Sequence, residues 1–108
     1  MIKEKFKVFI SQPMAGLSNE EIMSTRKKAI AETEKILGER INPVTSYFDM
    51  YVNENKNSTA LSSLGRSIEY LGLADFAYFV KGWQDARGCR IEHLCCEEYG
   101  IPILEGKV

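Results

Sequence analysis

The sequence predicts a three-layer α/β fold, a twisted parallel sheet of about four to five strands with helices on both faces, and three observations predict it. Strand-like and helix-like stretches alternate along the chain, the order that right-handed crossovers wind into a parallel sheet. The strand-like stretches include near-continuous apolar runs, as strands covered on both faces do. A length of 108 residues, 44% of them hydrophobic, suits one compact domain spanning residues 1–108 with a modest core.

The elements follow in order. KFKVFIS, Lys5 to Ser11, alternates and then turns apolar, as a first strand entering a buried sheet would. It runs into the breaker-rich QPMAG. Ser18 with Glu21 three residues later forms a capping-box pattern, and helical spacing continues through Ile22, Ala29, Ile36 and Leu37 to a stop at Gly38. RINPVTSYF reads as a short second strand, with Pro43 tolerated at its start or on an edge. The polar NENKNST is expected to be a loop before a second helix, LSSLGRSIEYLGLA, and an apolar third strand, DFAYFV. GWQDARGCRIEHLCCEEYGIPI then reads as loop, third helix and the approach to a last strand, IPILE. Such an order is that of flavodoxin-like and Rossmann-like sheets, whose ligands bind beyond the carboxyl ends of the strands where the strand order reverses. Two loops qualify for that place, SQPMAGLS and KGWQDARG.

Composition narrows the partners. A formal net charge of -1, with Lys and Arg scattered among Asp and Glu, offers no electrostatic footprint for a nucleic-acid polymer or an anionic membrane. The first residues, MIKEKFKVFIS, hold too short an apolar run for a signal peptide, and no stretch approaches a membrane span. A cytoplasmic protein with a small-molecule ligand is the expectation. The 3 cysteines all lie in the third helix, an odd count that suits a reducing compartment and small buried hydrophobes.

One residue breaks the pattern. On a helical projection Cys89, Ile91, Leu94, Cys95, Cys96 and Tyr99 share a broad apolar arc, with Arg90, His93 and Glu97 opposite, and Glu92 falls inside the arc. An unpaired buried carboxylate costs several kcal/mol, so Glu92 needs a partner or a cleft. Two readings are open. In the first turn after Gly88 an acid would be favoured by the helix dipole. Alternatively its side chain, leaning toward the helix N-terminus, points into the crevice at the strand ends. The dipole favours an ionised carboxyl and apolar surroundings oppose it.

Other residues carry chemistry less distinctly. Arg87 suits bidentate phosphate binding or a solvated loop, and Gly16 with the free N–H groups near Ser18 suits an anion or merely a capped helix. Trp83 could stack on a base but more commonly such a residue packs over a sheet. Asp85 sits in the right loop, where turn aspartates are common, whereas Asp75 begins its strand and belongs to the wrong end of the sheet. Cys89, His93 and Cys96 share a helix side, but their spacing departs from that of zinc knuckles, so no metal and no cofactor is expected.

VFISQPMAG after the first strand and LADFAYFVKGWQDARGCRIEHLCCEEYGIPI at the end resemble the nucleoside 2-deoxyribosyltransferase-like superfamily, which includes nucleotide N-glycosidases. The resemblance is to a small branch often carried by phages and prophages, and covers nearly the whole chain in order of elements. It implies that Glu92 is the nucleophile, that the first loop, with Gln12, Pro13, Met14 and Gly16, holds sugar or phosphate, and that Ser67, Trp83, Arg87 and Gly88 complete the substrate site. The implied activity is N-glycosidic bond cleavage or deoxyribosyl transfer on a nucleoside or nucleoside 5′-monophosphate. Two departures point to the alternative of an inactive nucleotide-binding module. Phe9 stands where the family carries a Tyr that contacts the catalytic Glu, and Ser67 stands where it carries an Asp. Relatives assemble into oligomers, and so small a core favours the same here, a homodimer or larger.

Overall fold

A computed structural model describes residues 5–44 and 56–108. Among these residues four parallel strands form one sheet in the order β2-β1-β3-β4: β1 Phe6–Ser11, β2 Ile41–Val44, β3 Phe76–Phe79 and β4 Ile103–Glu105. Helices α1 Asn19–Leu37, α2 Lys56–Leu71 and α3 Arg87–Tyr99 make the crossovers, with a single 3₁₀ turn, Trp83–Asp85, ahead of α3.

The period-2 alternation of β1 sorts the core into two halves. Val8 and Ile10 face α1 and pack with Ala29, Ile41, Tyr78 and Val80. Phe9 faces α2 and α3 and packs with Leu71, Ala77, Phe79 and Cys96. This is the three-layer arrangement that the sequence predicts, and it resides in a sheet covered on both faces. From β1 the chain first moves outward to β2 and then returns past β1 to β3, so the strand order reverses between β1 and β3. The carboxyl ends of these two strands therefore flank the natural ligand crevice.

Local chemistry sets the boundaries. Ser18 caps α1: its Oγ accepts from Glu21 N at 3.1 Å while Glu21 Oε1 accepts from Ser18 N at 3.2 Å. Gly38, at φ 72°, ends the helix, donating its N–H to Glu34 O at 2.9 Å. The buried stripe of α1 is Ile22, Ala29 and Thr33, whereas Ile36, expected on that stripe, is 51% exposed. Thr33 satisfies its hydroxyl on Ala29 O at 2.7 Å, one turn back.

One boundary differs from expectation. α2 begins at Lys56, inside the polar run expected to be a loop. Polarity is no barrier to a helical first turn, because intrinsic propensities are weak beside tertiary packing. The second strand is described over Ile41–Val44, and the rest of RINPVTSYF, with the first part of NENKNST, lies outside the described residues. Among the described residues no helix is long and apolar enough to cross a membrane.

Candidate functional site

At the carboxyl ends of β1 and β3 opens a cleft of about 520 Å³. One wall is the end of β1 and the loop after it, from Phe9 to Ala15, joined by Asn19 and Ile22 of α1. Ala60, Ser63, Leu64 and Ser67 of α2 form another, and the segment Asp85 to Cys89 with Glu92 closes the third. The lining is mainly apolar with a few polar groups, the usual constitution of a small-molecule site.

Glu92 lies in the second turn of α3, because the helix starts at Arg87 rather than after Gly88. The first-turn reading is thereby corrected: no acid occupies the first turn, and the dipole is a minor influence on Glu92. Its side chain enters the cleft, only 7% exposed, and its Oε1 accepts a 2.6 Å hydrogen bond from Ser11 Oγ. Burial pushes the Glu92 carboxyl up to about 7, and the Ser11 hydrogen bond acts in the opposite direction. Of the two opposed influences weighed from sequence, desolvation prevails.

Cys89, one turn earlier, lines the same cleft. Burial pushes its thiol up to about 11, with Ser11 lowering it and the charge of Glu92 raising it. It therefore stays protonated at neutral pH and serves as a wall, since the thiolate is the reactive form.

The start of α3 faces the cleft without a side-chain cap. Ala86 occupies the N-cap position, so the N–H groups of the first turn have no capping oxygen, in contrast to the complete capping box of α1. Ala86, Arg87, Gly88 and Cys89 all line the cleft, which places the positive end of the helix dipole there. Arg90 Nη1 donates to Gln84 O at 2.9 Å and steadies the preceding turn.

Gln12, Pro13, Met14, Ser67, Arg87 and Gly88 all come together with Glu92 around the cleft. Gly16 and Trp83 do not belong to its lining. Gly16, at φ 78°, serves the turn closed by Leu17 N to Met14 O at 3.1 Å, the left-handed position that favours glycine. Trp83 stacks on His93 with ring centroids 3.9 Å apart and planes 7° from parallel, and its Nε1 donates to Glu105 Oε2 at 3.0 Å. The packing alternative for Trp83 is the one observed.

The helix projection also needs adjusting. His93, placed on the polar side, is tucked against Phe79 and Trp83, with its ring nitrogens 3.2 Å from Glu97 Oε1 and 3.0 Å from Glu105 Oε1. Leu94 and Tyr99, placed on the apolar arc, are 55% and 84% exposed. The helix is rotated relative to the simple arc because the sheet face and α2 cover only its Cys89–Glu92–Cys96 side. Among the described residues no group of three or more His, Cys, Asp or Glu side chains is arranged to hold a metal ion.

Asp75 lies at the amino end of β3, where its Oδ2 accepts from Lys7 N at 2.8 Å, far from the strand ends that frame the cleft. Asp85 lines the cleft and is exposed.

No protein-family model and no curated protein sequence matches the chain. A solved structure that does match is a 2-deoxyribosyltransferase from the psychrotolerant bacterium Bacillus psychrosaccharolyticus, with a TM-score of 0.59, at 15% sequence identity, covering 92% of this chain and 70% of that one. The two share a fold. This agrees with the three-layer sheet and with a crevice at the reversal of strand order.

The residue that sequence reasoning missed is Ser11. Phe9, expected to leave Glu92 without a hydroxyl neighbour, is buried in the core and also touches the cleft. Two residues on, on the same face of β1, Ser11 supplies a hydroxyl. The signal was a lone polar residue ending an apolar strand, in register with the suspected position.

Proposed function

We propose that the chain cleaves the N-glycosidic bond of a nucleoside or nucleoside 5′-monophosphate, or transfers its deoxyribosyl group, with Glu92 as nucleophile. The observation that carries this reading is a buried carboxylate, held by Ser11 at 2.6 Å, on the wall of a cleft at the point where the strand order reverses. The shared fold with a 2-deoxyribosyltransferase supports it.

In this mechanism Ser11 binds Glu92 Oε1 and leaves Oε2 for attack on the anomeric carbon. As the new carbon–oxygen bond forms, the carbon–nitrogen bond breaks, its electron pair passes to the base nitrogen, and the base leaves after taking a proton. The resulting glycosyl ester is released when water, or the nitrogen of a second base, attacks the same carbon and displaces the carboxylate. Among the described residues Asp85 is the other acid lining the cleft, and it can serve the proton traffic. A 5′-phosphate suits Arg87 and the uncapped first turn of α3. With its carboxyl near 7, Glu92 is substantially ionised at neutral pH and reactive through its anionic form.

The second reading is a nucleotide-binding module without turnover, favoured by Ser67, which lines the cleft where a carboxylate is expected of the superfamily. Its other ground, the missing hydroxyl at Phe9, is weakened by Ser11. The test is chromatographic detection of free base from a panel of nucleosides and monophosphates. Release by the unaltered chain, lost in a folded Glu92→Gln variant, supports catalysis. Saturable binding without any released base favours the module.

A further inference from the structure

The hydrogen bond between Ser11 and Glu92 has a direction that the reaction cannot reverse. A carboxylate can only accept, and so can the carbonyl of an ester, so the Ser11 hydroxyl is the donor whether Glu92 is ionised or carries a sugar. At 2.6 Å from Oγ to Oε1 the bond has the length of a charge-assisted O–H···O contact. The pair is shielded from solvent, with Ser11 1% and Glu92 7% exposed. Ser11 is also firmly mounted: it ends β1 in register with Phe79 of β3, and its carbonyl accepts from Val80 N at 2.9 Å.

Such a donor does not serve both halves of a covalent reaction equally. Oε1 holds its share of the negative charge while Glu92 is free, loses it as Oε2 bonds to the anomeric carbon, and regains it as that bond breaks. A hydrogen bond to an ionised acceptor is roughly twice as strong as one between neutral groups. Ser11 therefore stabilises the free carboxylate more than the transition state of attack, and the transition state of release more than the ester. Burial acts the other way. It disfavours the ionised carboxylate, pushing Glu92 up to about 7, and so favours the neutral ester.

We infer that Ser11 sets the lifetime of the glycosyl ester: its hydroxyl makes the Glu92 carboxylate a better leaving group and speeds the second half of the reaction, in which water displaces the carboxylate from the sugar. The inference rests on the reading of Glu92 as nucleophile. In that half the water oxygen bonds to the anomeric carbon and loses a proton to solvent, while the electron pair of the carbon–Oε2 bond returns to the carboxylate. The restored charge is shared with Oε1, where a preorganised donor already waits. Ser11 acts through Glu92 and need not touch sugar or base.

The two roles a hydroxyl can have here differ in sign. If Ser11 only holds Glu92 in place for attack, Ser11→Ala slows formation of the ester and lowers the fraction of chain that carries it during turnover; if Ser11 assists release, that fraction rises. The test incubates the unaltered, Ser11→Ala and Ser11→Thr chains with adenosine, guanosine, cytidine, uridine, their 2′-deoxy counterparts and the corresponding 5′-monophosphates. A pH of 9, well above the Glu92 value of about 7, keeps the carboxylate mainly ionised. Samples are denatured during turnover, the ester is read as the added mass of the sugar on the intact chain, and released base is measured by chromatography. The expected result is an ester-bearing fraction about tenfold higher in Ser11→Ala, with a burst of base ahead of a slower steady rate, and a return to the unaltered fraction in Ser11→Thr, which keeps a hydroxyl. Ser11→Cys, close in shape but a much weaker donor, should raise the fraction likewise and carries the test should the alanine variant not fold. A fraction unchanged or lower without the hydroxyl, or one that Ser11→Thr leaves raised, overturns the inference while the reading of Glu92 stands. Base release that survives Glu92→Gln, or no release from any of these compounds by the unaltered chain, overturns both.

Discussion

Replacing Glu92 by Gln should make the protein more stable at pH 8 and leave it nearly unchanged at pH 4. The Glu92 carboxyl is pushed from the ordinary 4.5 up to about 7 by burial, against the pull of Ser11. A carboxyl raised in the folded state binds its proton more tightly there than in the unfolded chain. Its stabilising contribution is therefore whole below pH 4.5, declines as pH rises, and is gone above about 7. The interval between those values corresponds to about 3 kcal/mol, the cost of holding the ionised carboxylate in the cleft. Gln keeps the shape and can still accept from Ser11 Oγ, but carries no charge at any pH. Urea denaturation at half-unit steps from pH 4 to 8 measures the effect. The difference between variant and wild type removes titrations common to both, such as those of surface carboxylates. It should grow from near zero to about 3 kcal/mol, a midpoint shift of about 1–3 M urea. A Ser11→Ala chain, lacking the bond that lowers the Glu92 value, should move the decline to higher pH. A difference that is flat across the range, or a variant less stable at pH 8, would refute the claim that desolvation dominates at Glu92.

Further outcomes follow from the same geometry. Arg87→Ala is expected to weaken binding of nucleoside monophosphates about tenfold while nucleosides change little, as titrations with matched pairs would reveal; equal weakening means that Arg87 does not hold phosphate. Gly106→Ala should lower the thermal midpoint by several degrees, about 1–3 kcal/mol, since a Cβ there would lie 2.5 Å from the Tyr78 ring and 2.6 Å from Phe79 O. An unchanged melting curve shows that β4 yields freely. Sedimentation at micromolar concentration is expected to show a homodimer or larger assembly that Tyr99→Asp weakens, because Leu94 and Tyr99 expose apolar surface on α3; a monomer in the unaltered chain rejects that expectation.

Much of the architecture was legible from local order. The capping box at Ser18 and Glu21, the glycine stop at Gly38 and the apolar run of β3 act within a few residues, so sequence alone placed α1 and ordered the elements. The alternation of strands and helices then restricted the sheet to parallel pairing, and the two loops nominated from sequence do meet at the cleft. Glu92 was conspicuous because a carboxylate in an apolar arc violates a local pattern, and that violation is visible without coordinates.

What only the tertiary structure decided concerns atoms distant in sequence. Ser11 and Glu92 are 81 residues apart, and no periodicity links them; the pairing of β1 with β3 and the docking of α3 on the sheet bring them to 2.6 Å. The same holds for Trp83, for which the sequence leaves both a ligand platform and a packing role open: His93 stacks on its ring and Glu105 accepts its N–H. Gln12 reads as one polar residue in a loop, and only the fold brings its amide nitrogen to Ile22 O. The rotation of α3, which exposes Leu94 and Tyr99, likewise depends on which neighbours cover the helix rather than on its own projection. Hydrophobic spacing selects helix or strand, since it reports the period of the backbone. The burial, polarity and charge of a side chain are set by whichever groups the fold places against it.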